Sequence, residues 1–273
     1  MKSIKTKLKI DITTYLFVLL YFLCGYIKNI IIIYIIIIFH EFGHVLASKI
    51  LKYKITSVTI YPFGGITKSD QLINAPLNSD LIIYWAGLIF QIILFVPFML
   101  FYKLGIINLN TLKLFVYFNI CIFLFNALPI APLDGYLILN NILNRFTSFY
   151  NAKIITYIFS AIFIVFFIYF YYSNYIIWVF LIVNQLKEII NFKYVFNKFL
   201  LERHLYKFSW RRKKYYKEMN LKKLEREKLG HYYNGFTWLS EKDLLSKMFD
   251  KKGYFWYYVY RLKGFPEKPH WIG

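Results

Sequence analysis

Ile30-Ile31-Ile32-Ile33-Tyr34-Ile35-Ile36-Ile37-Ile38-Phe39-His40-Glu41-Phe42-Gly43-His44 is the stretch on which the reading of this chain turns. Ten unbroken apolar residues, eight of them isoleucine, lead straight into two histidines and a glutamate. Ionisable side chains at membrane depth are costly, and they mark functional sites. Histidines four apart share one helix face and can present ring nitrogens to a single metal ion, with the glutamate beside the metal's water. Zinc accepts nitrogen and oxygen ligands in tetrahedral geometry and keeps one position for water in a catalytic site. His40 and His44 are therefore candidate ligands for one zinc ion per chain. Glu41 is the candidate base that takes the water proton and returns it to a leaving amine.

Two histidines do not complete such a site. His204, His231 and His270 fall in the basic C-terminal part, away from the apolar runs. A carboxylate is the better third ligand. Asp11 precedes the first apolar run, Asp70 and Asp80 flank a loop, and Asp134 ends an apolar run in Asn126-Ala127-Leu128-Pro129-Ile130-Ala131-Pro132-Leu133-Asp134-Gly135. Pro129 and Pro132 break or kink the helix, and Gly135 relieves crowding just after the ligand. Asp134 is the candidate third ligand. Asn126 either polarises a buried turn or holds substrate backbone through its amide, because an uncovered amide at that depth is expensive.

The loop after this segment has a different character. Ile55 to Tyr61 is rich in β-branched residues, and Pro62-Phe63-Gly64-Gly65 supplies a turn. A short hairpin, or a loop dipping into the membrane, is expected. Phe63, Gly64 and Gly65 are candidate substrate-binding residues, since an exposed β edge can pair with an extended peptide. The alternative is an ordinary surface hairpin.

Composition sets the frame. Apolar residues make up 59% of 273 residues, with 29 phenylalanines and 26 tyrosines, and the mean hydropathy is +0.45. Several windows of about 18 residues are apolar enough to cross a bilayer. The expected spans are 12–27, 30–48, 79–102, 111–131, 154–171 and 174–190. The chain thus reads as an all-α polytopic membrane protein of about six transmembrane helices, with a short membrane-associated β-hairpin or loop and a small basic cytoplasmic tail. The lysines at 2, 5, 7 and 9 precede a retained first span, not a cleaved leader.

Basic residues orient the spans. With both termini cytoplasmic, Lys49, Lys52, Lys54, Lys68, Arg145, Lys153 and the basic tail share one side, as the positive-inside rule requires. His40, His44 and Asp134 then reach similar depth toward the cytoplasmic face. The formal net charge is +20. Residues 186–273 hold 21 Lys/Arg against 9 Asp/Glu, so most of the excess lies outside the membrane region. Anionic lipids are the expected partner of this tail, and no nucleic acid is expected. Cys24 and Cys121 cannot build a disulfide framework and are read as buried free thiols.

The HEFGH run at His40–His44, NALPIAPLDG at Asn126–Gly135, the PFGG turn at Pro62–Gly65 and Ala86-Gly87 together resemble the site-2 protease family of intramembrane zinc metalloproteases. The likeness covers roughly residues 1–190, and the arrangement is most similar to the family's sporulation subgroup. The resemblance implies zinc on His40, His44 and Asp134, with Glu41 as base and proton shuttle and Asn126 as a substrate-holding residue. It implies a cell-membrane protein that cleaves a membrane-embedded or membrane-associated protein near the cytoplasmic face. The subgroup implies a pro-sigma-factor substrate and regulatory membrane proteins as partners. The expected division is a transmembrane metalloprotease domain, 1–190, and a basic, aromatic-rich cytoplasmic extension, 191–273, mostly helical. Leu88 stands where the family often has proline, leaving the local kink open. The competing reading is a non-proteolytic membrane zinc-binding or zinc-transport protein, against which the few acidic groups in the spans argue.

Overall fold

The computed structural model describes residues 7–61, 64–170, 175–208 and 210–249. An N-terminal strand, β1 (Lys7–Ile10), leads into helix α1 (Ile12–Leu23). Helix α2 (Ile27–Ile50) follows, and then a hairpin of β2 (Ile55–Tyr61) and β3 (Gly64–Ser69). Next come α3 (Leu77–Ile93), α4 (Phe95–Lys103), α5 (Leu109–Ala127), α6 (Asp134–Phe146), α7 (Phe149–Phe170) and α8 (Tyr175–Leu205). The chain closes with β4 (Arg212–Tyr216), β5 (Lys228–Tyr233), β6 (Trp238–Ser240) and α9 (Glu241–Phe249).

Among the described residues, four segments are long and apolar enough to cross a bilayer: Ile27–Ile50, Leu77–Lys103, Leu109–Ala127 and Phe149–Tyr169. They match the second to fifth expected spans. The first expected span is a helix of only 12 residues, about 18 Å at 1.5 Å per residue and short of a hydrocarbon core about 30 Å thick. The sixth is the front of α8, which runs on without a break past residue 190 to Leu205.

Two departures from an all-α reading stand out. The hairpin is part of a three-stranded sheet, because β1 pairs in parallel with β2, Lys7 opposite Ser57 and Ile10 opposite Ile60. The alternation Lys7-Leu8-Lys9-Ile10 was the signal for that strand, overshadowed by the charge of the N-terminus. The C-terminal extension is also not mostly helical, since β4 and β5 pair in parallel and β5 and β6 antiparallel, with α9 packed on them. Cys24 and Cys121 are exposed on the outsides of their helices, not buried as expected. A thiol facing outward from an apolar helix needs no partner there.

Packing explains how the helices are held. Ile32 and Ile36 of α2 meet Leu94, Phe98, Leu112 and Phe115, and the rings of Phe98 and Phe115 stack with centroids 3.7 Å apart. Gly43 lets α2 approach α3 closely, since a Cβ there would lie 2.6 Å from the Ala86 carbonyl oxygen. Leu88 is buried and helical, so α3 runs unbroken through the position where proline was at issue and ends only at Ile93. The last core joins Phe149 at the start of α7 to Phe199, Leu200 and Leu201 of α8 and to Tyr216, Leu224, Tyr232 and Phe249. The C-terminal unit thereby shares one core with the helices.

Candidate metal centre

Helix α2 carries His40 and His44 one turn apart, both buried, against α3. Each ring has its Nδ1 facing an acceptor: the Ile83 carbonyl at 2.8 Å for His44 and Gln91 Oε1 at 3.1 Å for His40. A neutral imidazole that donates from Nδ1 leaves Nε2 with a bare lone pair. Those two Nε2 atoms lie 3.1 Å apart.

Asp134 arrives from a separate element. Helix α5 ends at Ala127, earlier than expected, and Leu128 is extended before Pro129, as pre-proline sterics favour. Buried Ile130 and Leu133 pack with Ile164, Trp178 and Leu181 of α7 and α8. Ser160 Oγ accepts from the Ala131 amide at 3.4 Å and donates to Gln185 Oε1 at 2.8 Å. This pinned loop delivers Asp134 as the first residue of α6, where the helix N-terminus favours a carboxylate. Gly135 is required because a Cβ would collide with the Ala127 carbonyl.

Asp134 Oδ2 stands 3.0 Å from His40 Nε2 and 3.2 Å from His44 Nε2. It is buried without a hydrogen-bond partner. Three lone-pair atoms thus converge with no donor among them, an arrangement that a cation satisfies. Ligands about 2.0–2.1 Å from zinc at tetrahedral angles stand about 3.3 Å from one another, so the triangle has the right size. Among the described residues, His40, His44 and Asp134 are the group able to hold a metal ion.

Glu41 flanks this triangle on the side of the hairpin. Thr67 Oγ1 of β3 donates to Glu41 Oε2 at 3.0 Å. Gly65 lies over the same carboxylate, and a Cβ there would be 2.5 Å from Glu41 Cγ. Gly87 of α3 does the same for the imidazoles, at 2.5 Å from His44 Nε2 and 2.6 Å from His40 Cε1. Gly64, Gly65 and Asn126 all line a cavity of about 620 Å³ that contains His40, Glu41 and Asp134. The Asn126 amide nitrogen donates to its own helix, at Ile122 O, 3.1 Å away. Phe63 lies outside the described residues.

Sequence reasoning missed the groups behind the ligands. Gln91 is completely buried, and its Nε2 donates to Asn119 Oδ1 at 3.4 Å while Asn119 Nδ2 donates to Gln91 O at 3.0 Å. Outer partners of this type fix the tautomer and orientation of ligating histidines. The available signal was that Gln91 is the lone amide in the apolar run from Leu81 to Tyr102. Thr67 carried no comparable signal, because a threonine in a β-rich loop is ordinary.

Known proteins resemble this chain in sequence and in fold. Residues 28–108 match the model of Peptidase family M50. The chain is 29% identical over 206 residues to stage IV sporulation protein FB of Bacillus subtilis, covering 72% of each. It is 29% identical over 121 residues to a zinc metalloprotease of Methanocaldococcus jannaschii, covering 42% of this chain and 34% of that one. The fold matches the solved site-2 protease from Methanocaldococcus jannaschii with a TM-score of 0.54 at 22% identity, covering 69% of this chain and 93% of that one.

Proposed function

We propose that this chain, which carries a peptidase family M50 domain of the site-2 protease type in a multi-pass membrane fold, is a zinc endopeptidase. It hydrolyses a peptide bond of a membrane-embedded or membrane-associated protein near the cytoplasmic face. The meeting of His40, His44 and Asp134, with Glu41 beside them, carries this reading. One zinc ion held by the three would acidify water and polarise the scissile carbonyl. Glu41 takes the water proton and passes it to the departing amine. Thr67 steadies one carboxylate oxygen so that the other stays free for that exchange.

A helical substrate hides its carbonyls in its own hydrogen bonds, so it must be drawn out straight. β3 is suited to that task. It pairs with β2 on one side and, as the last strand in the order β1-β2-β3, has no strand on the other among the described residues. An extended segment adding to that edge would run past Glu41, with open space at Gly64 for its backbone, Gly65 beside the carboxylate and Asn126 lining the same cavity. The likeness to a stage IV sporulation protein supports a pro-sigma factor as substrate, with membrane proteins as regulators. The basic face at Arg211, Arg212 and Lys213, all exposed, suits anionic lipid, and the positive-inside bias favours both termini on the cytoplasmic side. By composition, 1–190 is the transmembrane metalloprotease part and 191–273 the basic extension.

Glu41→Gln should keep zinc nearly stoichiometric and abolish cleavage in proteoliposomes. Undiminished cleavage would refute the assigned base, and zinc flux without any cleavage would favour a carrier.

A further inference from the structure

We propose that Lys153 builds a cationic subsite in the catalytic cavity, reading an acidic side chain of the substrate within a few residues of the scissile bond. The inference rests on the endopeptidase reading and adds a specificity to it. Lys153 lies in the first turns of α7, one of the apolar crossing segments. Its Nζ faces inward, donating to Tyr136 Oη at 3.2 Å and standing 5.1 Å from the centre of the same ring. An ammonium has three protons to donate. Among the described residues it forms no ion pair.

Its surroundings sharpen the charge. Lys198 and Glu188 of α8 line the same cavity, as does Arg226. Arg226 is already spent on Asp80, 2.7 Å away. With Asp80 paired and Glu41 and Asp134 assigned to the proposed centre, Glu188 is the carboxylate of this lining left to face Lys153 and Lys198. A lysine placed near a helix end normally sends its head group outward to water. Lys153 instead points at the wall where Tyr136 stands two residues beyond Asp134 on α6. A buried cation with a carboxylate nearby but none in contact costs stability, and an arriving anion would relieve that cost. His40, Glu41 and Asp134 line the same cavity, so a chain lying extended through it at about 3.3 Å per residue passes both Lys153 and the proposed centre.

The test uses the full-length protein in proteoliposomes with a reporter library. Each reporter is a membrane-anchored segment whose cytoplasmic half is randomised among Asp, Asn, Lys and Leu, and cleaved products are sequenced. The wild-type protein should enrich Asp at one position by about tenfold over Asn, the scale of a charge-assisted hydrogen bond. Lys153→Met should bring that ratio to about one, Lys153→Arg should retain most of it, and Lys153→Glu should turn the preference to Lys at the same position. Zinc content checks that each variant is folded. An unchanged Asp enrichment in Lys153→Met, or no enrichment in the wild type, overturns the subsite. If no reporter is cleaved, the endopeptidase reading fails instead. The subsite is then judged by photocrosslinking the same library to Glu41→Gln, where absence of Asp enrichment overturns it too.

Discussion

Gln91 shows how much of the metal site lies beyond the ligands themselves. Its side chain holds His40 and is held in turn by Asn119, all three buried. Gln91→Ala should weaken zinc binding by about 10- to 100-fold, measured by competition with a chelator of known affinity, with a smaller loss for Asn119→Ala. Two glycines separate binding from chemistry. Gly87→Ala drives a methyl into both imidazoles and should empty the site, whereas Gly65→Ala presses on Glu41 and should abolish cleavage with zinc retained. Metal analysis and reporter cleavage on the same preparations distinguish the two. The candidate ligands were legible in the sequence because HEFGH and LDG put rare polar residues inside apolar runs. Gln91 was equally rare in its run, but an amide has no motif to give it meaning. Thr67 became visible only once the hairpin was folded onto α2.

At the scale of elements, the decisive piece is the connection from β3 to α3. The amides of Ile73 and Asn74 donate to Glu202 Oε1 and Oε2 at 3.1 and 3.0 Å. The Leu77 amide donates to Glu227 Oε1 at 2.7 Å. Arg226 reaches the Ala75 carbonyl and pairs with Asp80 at 2.7 Å, both side chains buried. Residues more than a hundred positions later in the chain thus clamp the segment that joins the substrate edge to the helix behind the histidines. Removing one partner of a buried pair strands the other, so Arg226→Met should destabilise by about 3–5 kcal/mol, and Arg226→Met with Asp80→Leu by less. Thermal unfolding in detergent measures both. The helices themselves were legible from apolar length, and the loop before Asp134 from its prolines. The clamp was not, because its charges sit in a basic region where any single Glu or Arg reads as solvated.

Across the whole molecule, the C-terminal unit is a structural part of the helical body, since the two share one core. Arg203 is fully buried, pairs with Glu241 at 2.6 Å and donates to the Glu225 and Lys228 carbonyls. Glu225 is itself held by Lys214 and Lys228. Burial opposes its ionisation, but those two ammonium groups outweigh burial and keep its carboxyl below the usual glutamate value. Its contribution is complete above the unfolded value of about 4.3 and is lost as pH falls through the lower folded one. Acid should therefore loosen β4 and β5 first, and Glu225→Gln should remove that part of the pH dependence in hydrogen exchange. Neutralising Arg211, Arg212 and Lys213, which are exposed and outside this network, should weaken binding to anionic vesicles at low salt, with little change in thermal stability. Composition foretold the charge of this region; its parallel strand pairing is non-local and left no periodic trace.

The bond from Thr67 to Glu41 reaches further than one oxygen atom. A water-splitting centre in a bilayer sits among countless passing chains, and indiscriminate cutting would be ruinous. Here the proposed acid–base group is fastened to the strand proposed to receive the substrate. On the proposed reading, anything that shifted the strand would also shift the base, so docking and acid–base readiness would be coupled through one hydrogen bond.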